Sequence, residues 1–158
     1  MILVTQDHTT WMRQALAEAA RARDKGEVPI GAVVVQDERI VGRGHNLVET
    51  LQDPTAHAEM LALASASATL ASWRLSDSVL YTTLEPCPMC AGAILMARIP
   101  LVVFAATDPR YGACGSALQV LGTKRLDIEA TCVSGILAEE SQQMLQEFFQ
   151  MLRQKQAH

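Results

Sequence analysis

The chain has 158 residues, 49% hydrophobic and 19% charged, the size of one ordinary domain with enough apolar surface for a core, which excludes a disordered tail. Thirteen Lys plus Arg against seventeen Asp plus Glu leave a net charge of −4, so the bulk basic character that gathers nucleic acid is absent and any RNA contact must be local. The longest apolar runs, 93–97 and 101–106, fall far short of the roughly 20 residues that cross a bilayer, and no basic-then-apolar leader opens the chain, so a soluble, cytoplasmic protein with no membrane partner is expected.

Asp7 can cap a helix over about 8–25, because Trp11, Ala15, Leu16, Ala19 and Ala22 recur at helical spacing and Gly26 stops it. Ile30 to Val35 and Arg39 to Gly44 are β-branched stretches around polar Gln36, Asp37 and Glu38, the pattern of a hairpin. After a loop through 46–52, Asp53 as N-cap and Pro54 as first helical residue predict an alanine- and leucine-rich helix to about Leu70. His57 and Glu59 then sit near its start. Ser78 to Leu84 reads as a third strand, Pro88 to Arg98 as a helix and Leu101 to Ala106 as a fourth strand. Leu126 to Val133 reads as a fifth strand and Ala138 to Lys155 as the closing helix. No linker or repeat divides the chain, so residues 1–158 are expected to form a single domain. A hairpin followed by alternating helices and strands implies an α/β fold, a mixed five-stranded sheet with helices on both faces in a three-layer αβα arrangement. The loop 107–115, with Asp108, Pro109, Gly112 and Gly115, follows the C-terminal end of a strand, where ligands of open α/β sheets gather.

Four cysteines, Cys87, Cys90, Cys114 and Cys132, fit a reducing compartment in a chain without a secretion signal. Only the first two have informative spacing. His57-Ala58-Glu59 and Pro86-Cys87-Pro88-Met89-Cys90 each stand at the start of a predicted helix. With Pro88 as first helical residue, Cys87 is the N-cap and Cys90 the third helical position, whose side chains approach each other in a capping box, so both sulfurs can reach one ion. The helix N-terminus also favours the deprotonated thiols that a metal needs. One imidazole and two thiolates suit Zn²⁺ and leave a tetrahedral ion one position short, the usual sign of a catalytic site, where bound water is acidified to a pKa of about 7. Glu59 lies about 200° around a regular helix from His57, so it stays off the ion and is free to move protons. A carboxylate there can take a proton from water, pass it to a ring nitrogen and protonate a departing amine, which is hydrolytic deamination. A C-x-x-C can instead be half of a four-ligand structural zinc site or a redox pair. The first lacks a fourth ligand at matching spacing, Cys114, Cys132 and His45 being the candidates, and the second has no use for His57 or Glu59. H-x-E with P-C-x-x-C is the signature of zinc deaminases.

On these motifs, together with 27–33, Gly44-His45-Asn46, 53–59, 84–93, Gly115-Ser116, Gly135-Ile136-Leu137 and Phe148-Phe149, nearly the whole chain resembles the cytidine and deoxycytidylate deaminase superfamily. Within it the chain is similar to the bacterial tRNA-specific adenosine deaminases of TadA type. The resemblance implies a cytidine deaminase-like fold, one zinc per subunit on His57, Cys87 and Cys90, and Glu59 as proton shuttle. It also implies Val28 and Asn46 against the target base or its sugar, and Asp108, Phe149 and Arg153 along an RNA groove. The implied reaction converts the wobble adenosine of a tRNA anticodon stem-loop to inosine, in a homodimer, with the target nucleotide splayed out of its loop.

The outer residues have structural readings as well: Val28 as core, Asn46 as a turn residue, Asp108 as a loop starter, and the Phe148-Phe149 pair as the apolar side of an amphipathic helix. Three departures from the family stand out. The loop 47–52 is less basic than expected, Tyr111 and Cys114 occupy positions where small or lysine residues are common, and the tail ending at His158 is less basic. Phosphate contacts set affinity, so these bear on tRNA binding more than on deamination. A deaminase of a free base or nucleoside such as guanine is the rival within the class, and a noncatalytic RNA-binding domain stabilised by zinc the rival outside it. Cys114 and Cys132 read as small buried hydrophobes.

Overall fold

The computed structural model describes residues 7–122 and 126–157; the tail residue His158 lies outside the described residues. Helix α1 (His8–Asp24) begins as expected, with Asp7 accepting from the backbone N–H groups of Thr9 and Thr10. The chain continues through β1 (Gly31–Gln36), β2 (Arg39–His45), α2 (Val48–Leu51), α3 (Ala58–Leu70), β3 (Val79–Leu84), α4 (Pro88–Met96), β4 (Leu101–Ala106), β5 (Thr131–Val133) and α5 (Ala138–Gln156). No helix among the described residues is long and apolar enough to cross a membrane.

The five strands form one mixed sheet in the order β2-β1-β3-β4-β5, with β1 antiparallel to β2 and β3, and β4 parallel to β3 and β5. Strands β1, β3 and β4 are buried at nearly every position because both faces of the sheet are covered. Ala32, Val34, Leu80 and Val102 point to one face and pack against Ala62, Ala66 and Leu63 of α3 and Ile94 and Leu95 of α4. Val33, Val35, Tyr81 and Val103 point to the other and pack against Met12 and Ala15 of α1, with Ile136 and Leu137 at the entrance to α5. The arrangement is the three-layer αβα fold read from the sequence.

Helix α3 approaches β2 almost backbone to backbone. A Cβ on Gly42 would overlap the carbonyl of Ala62, and one on Gly44 the carbonyl of Ala58. Two glycines on the strand therefore meet a helix face of alanines at 58, 62 and 66, which seats the start of α3 at the sheet edge.

Several expectations need correction. Helix α3 starts at Ala58 rather than Pro54, because the Asp53 carboxylate spends itself on the local N–H and hydroxyl of Thr55, at 2.8 and 2.7 Å, and closes a tight turn. His57 is the N-cap, extended at φ −76° and ψ 153°. The loop 46–52 contains the short helix α2. Strand β5 spans Thr131–Val133 rather than starting at Leu126, since it pairs with β4 through only 131–133. Helix α4 ends at Met96, short of Arg98, which turns to φ 65°.

Candidate active site

The N-termini of α3 and α4 face each other at the C-terminal end of β3, and each presents an unusual cap. His57 and Cys87 are the N-caps, and neither side chain makes a capping hydrogen bond, so imidazole and thiol remain available to one another. Pro88 occupies the first turn, where its missing N–H costs nothing. His57 Nδ1 lies 3.6 Å from Cys87 Sγ and 3.6 Å from Cys90 Sγ, and the ligating atoms of the trio lie within 4.8 Å of one another. A tetrahedral ion with bonds of ~2.3 Å to sulfur and ~2.0 Å to nitrogen separates those atoms by about 3.5 Å, so the donor set fits zinc in both chemistry and size. Among the described residues it is the one group of three or more His, Cys, Asp or Glu side chains spaced to hold a metal.

The trio shares its protons unequally. Hydrogen bonding from the Cys90 thiol, helped by His57 and opposed by burial, draws the Cys87 thiol down to about 4. Cys90 moves the opposite way, because it donates to Cys87 and is buried beside Glu59. His57 is raised, chiefly by its hydrogen bond with Cys87, against burial and with support from the Glu59 charge. Behind the trio, buried Glu59 accepts from Thr82 Oγ1 at 2.8 Å. Burial pushes the Glu59 carboxyl above the usual range, while hydrogen bonds from Cys90 and Thr82 pull the other way. A carboxyl raised in this manner is suited to accept a proton and return it.

Two adjoining cavities share Ile30, His57 and Glu59 as walls. The larger, ≈ 460 Å³, also touches Leu84, Glu85, Cys87, Met89, Asp108 and Tyr111. The smaller, ≈ 270 Å³, touches Glu27, Val28, Asn46 and Val48. The structure thus brings seven of the residues singled out in the sequence to one place: His57, Cys87, Cys90, Glu59, Val28, Asn46 and Asp108. Asn46 also acts as the turn residue it resembles, donating from Nδ2 to the Val28 carbonyl and accepting at Oδ1 from Val48 N–H. Asp108 is likewise a loop starter, its Oδ1 accepting from the N–H groups of Arg110 and Tyr111 at 3.0 and 3.3 Å. Phe149 and Arg153 are exposed on α5 and line neither cavity; Phe148 is the buried member of its pair. Cys114 and Cys132, expected to be buried, are only half-buried and pack against the larger core cluster.

Two acidic residues had no role in the sequence reading. Buried Glu27 accepts from Glu49 N–H at 3.1 Å and Thr50 N–H at 2.7 Å, capping α2 from outside because Leu47 has no side chain able to do so. Glu85, 3% exposed, accepts from the N–H groups of Asp108, Cys114 and Ser116 and from the Ser116 hydroxyl. A Cβ on Gly112 would overlap the Glu85 carboxylate, so the loop after β4 closes directly over it. Neither acid has a local sequence signal, because the backbone donors it serves lie 22 to 31 positions away.

A family model of MafB19-like deaminases matches residues 6–153. The chain is 49% identical over 152 residues to the tRNA-specific adenosine deaminase of Bacillus subtilis, covering 96% of this chain and 94% of that one. A solved structure from work on A-to-I editing by tRNA:A34 deaminases at the wobble position is similar with a TM-score of 0.83 at 41% identity, over 87% of this chain and 99% of the other. A guanine deaminase from Bacillus subtilis is similar at 43% identity and a TM-score of 0.61, over 65% of this chain and 66% of its own.

Proposed function

The chain belongs to the MafB19-like deaminases and, among them, to the tRNA-specific adenosine deaminases, and from that membership we infer that it converts the wobble adenosine of a tRNA anticodon to inosine. The observation that carries this reading is the His57, Cys87 and Cys90 trio with buried Glu59 against it, at the junction of two cavities. His57, Cys87 and Cys90 would hold one zinc ion per chain. When bound, zinc supplies the Lewis acidity that brings the pKa of water to about 7.

Glu59 takes a proton from the attacking water and delivers it to a ring nitrogen of the adenine. It then takes the remaining proton from the hydroxyl added to the carbon and passes it to the amine, which leaves as ammonia while the water oxygen stays on the carbon as a carbonyl. Thr82 fixes the Glu59 carboxyl by donating to Oε1, leaving the group oriented toward the cavities it lines. Val28 and Asn46 border the base in the smaller cavity, and Asp108 borders the strand in the larger. Phe149 and Arg153, on the exposed side of α5, meet RNA outside the pocket. The protein works in the cytoplasm as a single-domain subunit of a homodimer; helix α4 is apolar around its whole girth and leaves Met96 exposed for a second copy to cover.

The test offers the zinc-loaded protein an anticodon stem-loop with adenosine at the wobble position beside free adenosine, cytidine and guanine. Inosine in the stem-loop is the expected product. Ammonia released only from a free base or nucleoside would replace this reading with that of a free-base deaminase, and sedimentation of the same sample at monomer mass would remove the dimer.

A further inference from the structure

The loop after β4 carries an aromatic ring that the deamination chemistry does not use. Tyr111 lines the larger cavity with His57, Glu59 and Cys87, yet 59% of it is exposed. Arg110 places its guanidinium carbon 5.2 Å from the ring centroid, with Nη2 3.5 Å from the Tyr111 hydroxyl. Among the described residues no carboxylate forms an ion pair with Arg110, so its charge stays available in a chain whose net charge is −4.

The ring is held in place by the turn beneath it. Asp108 ties down the N–H groups of Arg110 and Tyr111, Gly112 N–H donates to the Asp108 carbonyl at 2.8 Å, and the Glu85 carboxylate anchors the turn at Asp108 and again at Cys114 and Ser116. An exposed ring with a guanidinium beside it, fixed at the mouth of a cleft, has the chemistry that takes an unstacked nucleobase. The ring offers a face for any base, and the cation adds attraction to the base and its phosphate. A target base presented to Glu59 leaves the outer part of the larger cavity, where Tyr111 stands, to its neighbour in the strand.

We propose that Tyr111, backed by Arg110, is a stacking platform for the unpaired base next to the target nucleotide in the anticodon loop. The proposal rests on the tRNA reading above and adds the residue that recognises the flanking base.

The experiment measures inosine formation by the zinc-loaded protein and its Tyr111→Ala and Tyr111→Phe variants, on an intact stem-loop and on stem-loops made abasic on either side of the target. Loss of one base stack predicts a KM raised about 10- to 100-fold in Tyr111→Ala at unchanged kcat, with Tyr111→Phe close to the parent. On the unaltered protein one of the abasic substrates should raise KM by a similar factor, and Tyr111→Ala should be insensitive to that same change, because both remove one contact. An unchanged KM in Tyr111→Ala, a phenylalanine variant as impaired as the alanine one, or losses that multiply would each overturn the platform while leaving the tRNA reading in place. Absence of inosine from the intact stem-loop with the parent protein would overturn that reading and the platform with it.

Discussion

Replacing Glu85 with alanine removes the acceptor for three backbone N–H groups and one hydroxyl at once, all on the loop that carries Asp108 and Tyr111. A hydrogen bond to a charged group contributes about 1.5–3 kcal/mol, but the four donors share one carboxylate and part of the loop can turn to water, so about 3–5 kcal/mol is the expected loss. For a domain of this size that corresponds to a melting temperature lower by roughly 6–20 °C. Burial is the largest single influence on this carboxyl and pushes it up, but the combined donors from Ser116, Cys114 and Asp108 outweigh it and hold the group below its usual 4.5. A group depressed in the folded state stabilises above its unfolded value and loses that contribution as pH falls through the folded one. The difference between parent and Glu85→Ala is therefore largest at neutral pH and shrinks below about pH 4.5. Thermal unfolding across pH 3–7 checks this, and kinetics on the stem-loop should show KM rising more than kcat falls, because the loop rather than Glu59 is disturbed. A loss under about 1 kcal/mol at pH 7, or a difference that grows in acid, refutes the account of the loop.

Further variants address the site and its support. Glu59→Gln should lower deamination by about 10²- to 10⁴-fold while zinc content, measured by atomic emission, stays at one ion per chain. Its melting temperature should match or exceed the parent's, since a carboxyl that burial penalises is gone, and near-normal turnover would end the proton-shuttle assignment. Cys87→Ala should lose the ion; a full complement of zinc in that variant would break the ligand set. Gly44→Ala should cost about 1–3 kcal/mol by forcing a Cβ into the backbone of α3, with weaker zinc retention because α3 carries His57 at its start. An unaltered melting curve would show that α3 does not sit so close to β2.

The parts of the molecule legible in advance are those decided within a few residues or by simple periodicity. Pro88 after Cys87 states a helix start, and that start places two sulfurs on one side. The apolar runs of β1 and β4 state that both faces of the sheet are covered, which was enough for three layers. The Asp53-Pro54 pair was misleading because the same carboxylate chemistry closes a turn or caps a helix, and only the seating of α3 on Gly42 and Gly44 decides between them.

The residue types at the candidate site were thus present in the sequence by themselves: an imidazole, two thiols and a carboxylate, each at the head of a helix. The shape of the pocket around them was not. Glu27 reaches donors 22 and 23 positions away, and Glu85 reaches donors 23 to 31 positions away, so neither leaves a local pattern. Tertiary structure decided those contacts, because a buried carboxylate takes its partners from whichever chain segments the sheet and helices happen to bring within hydrogen-bonding distance.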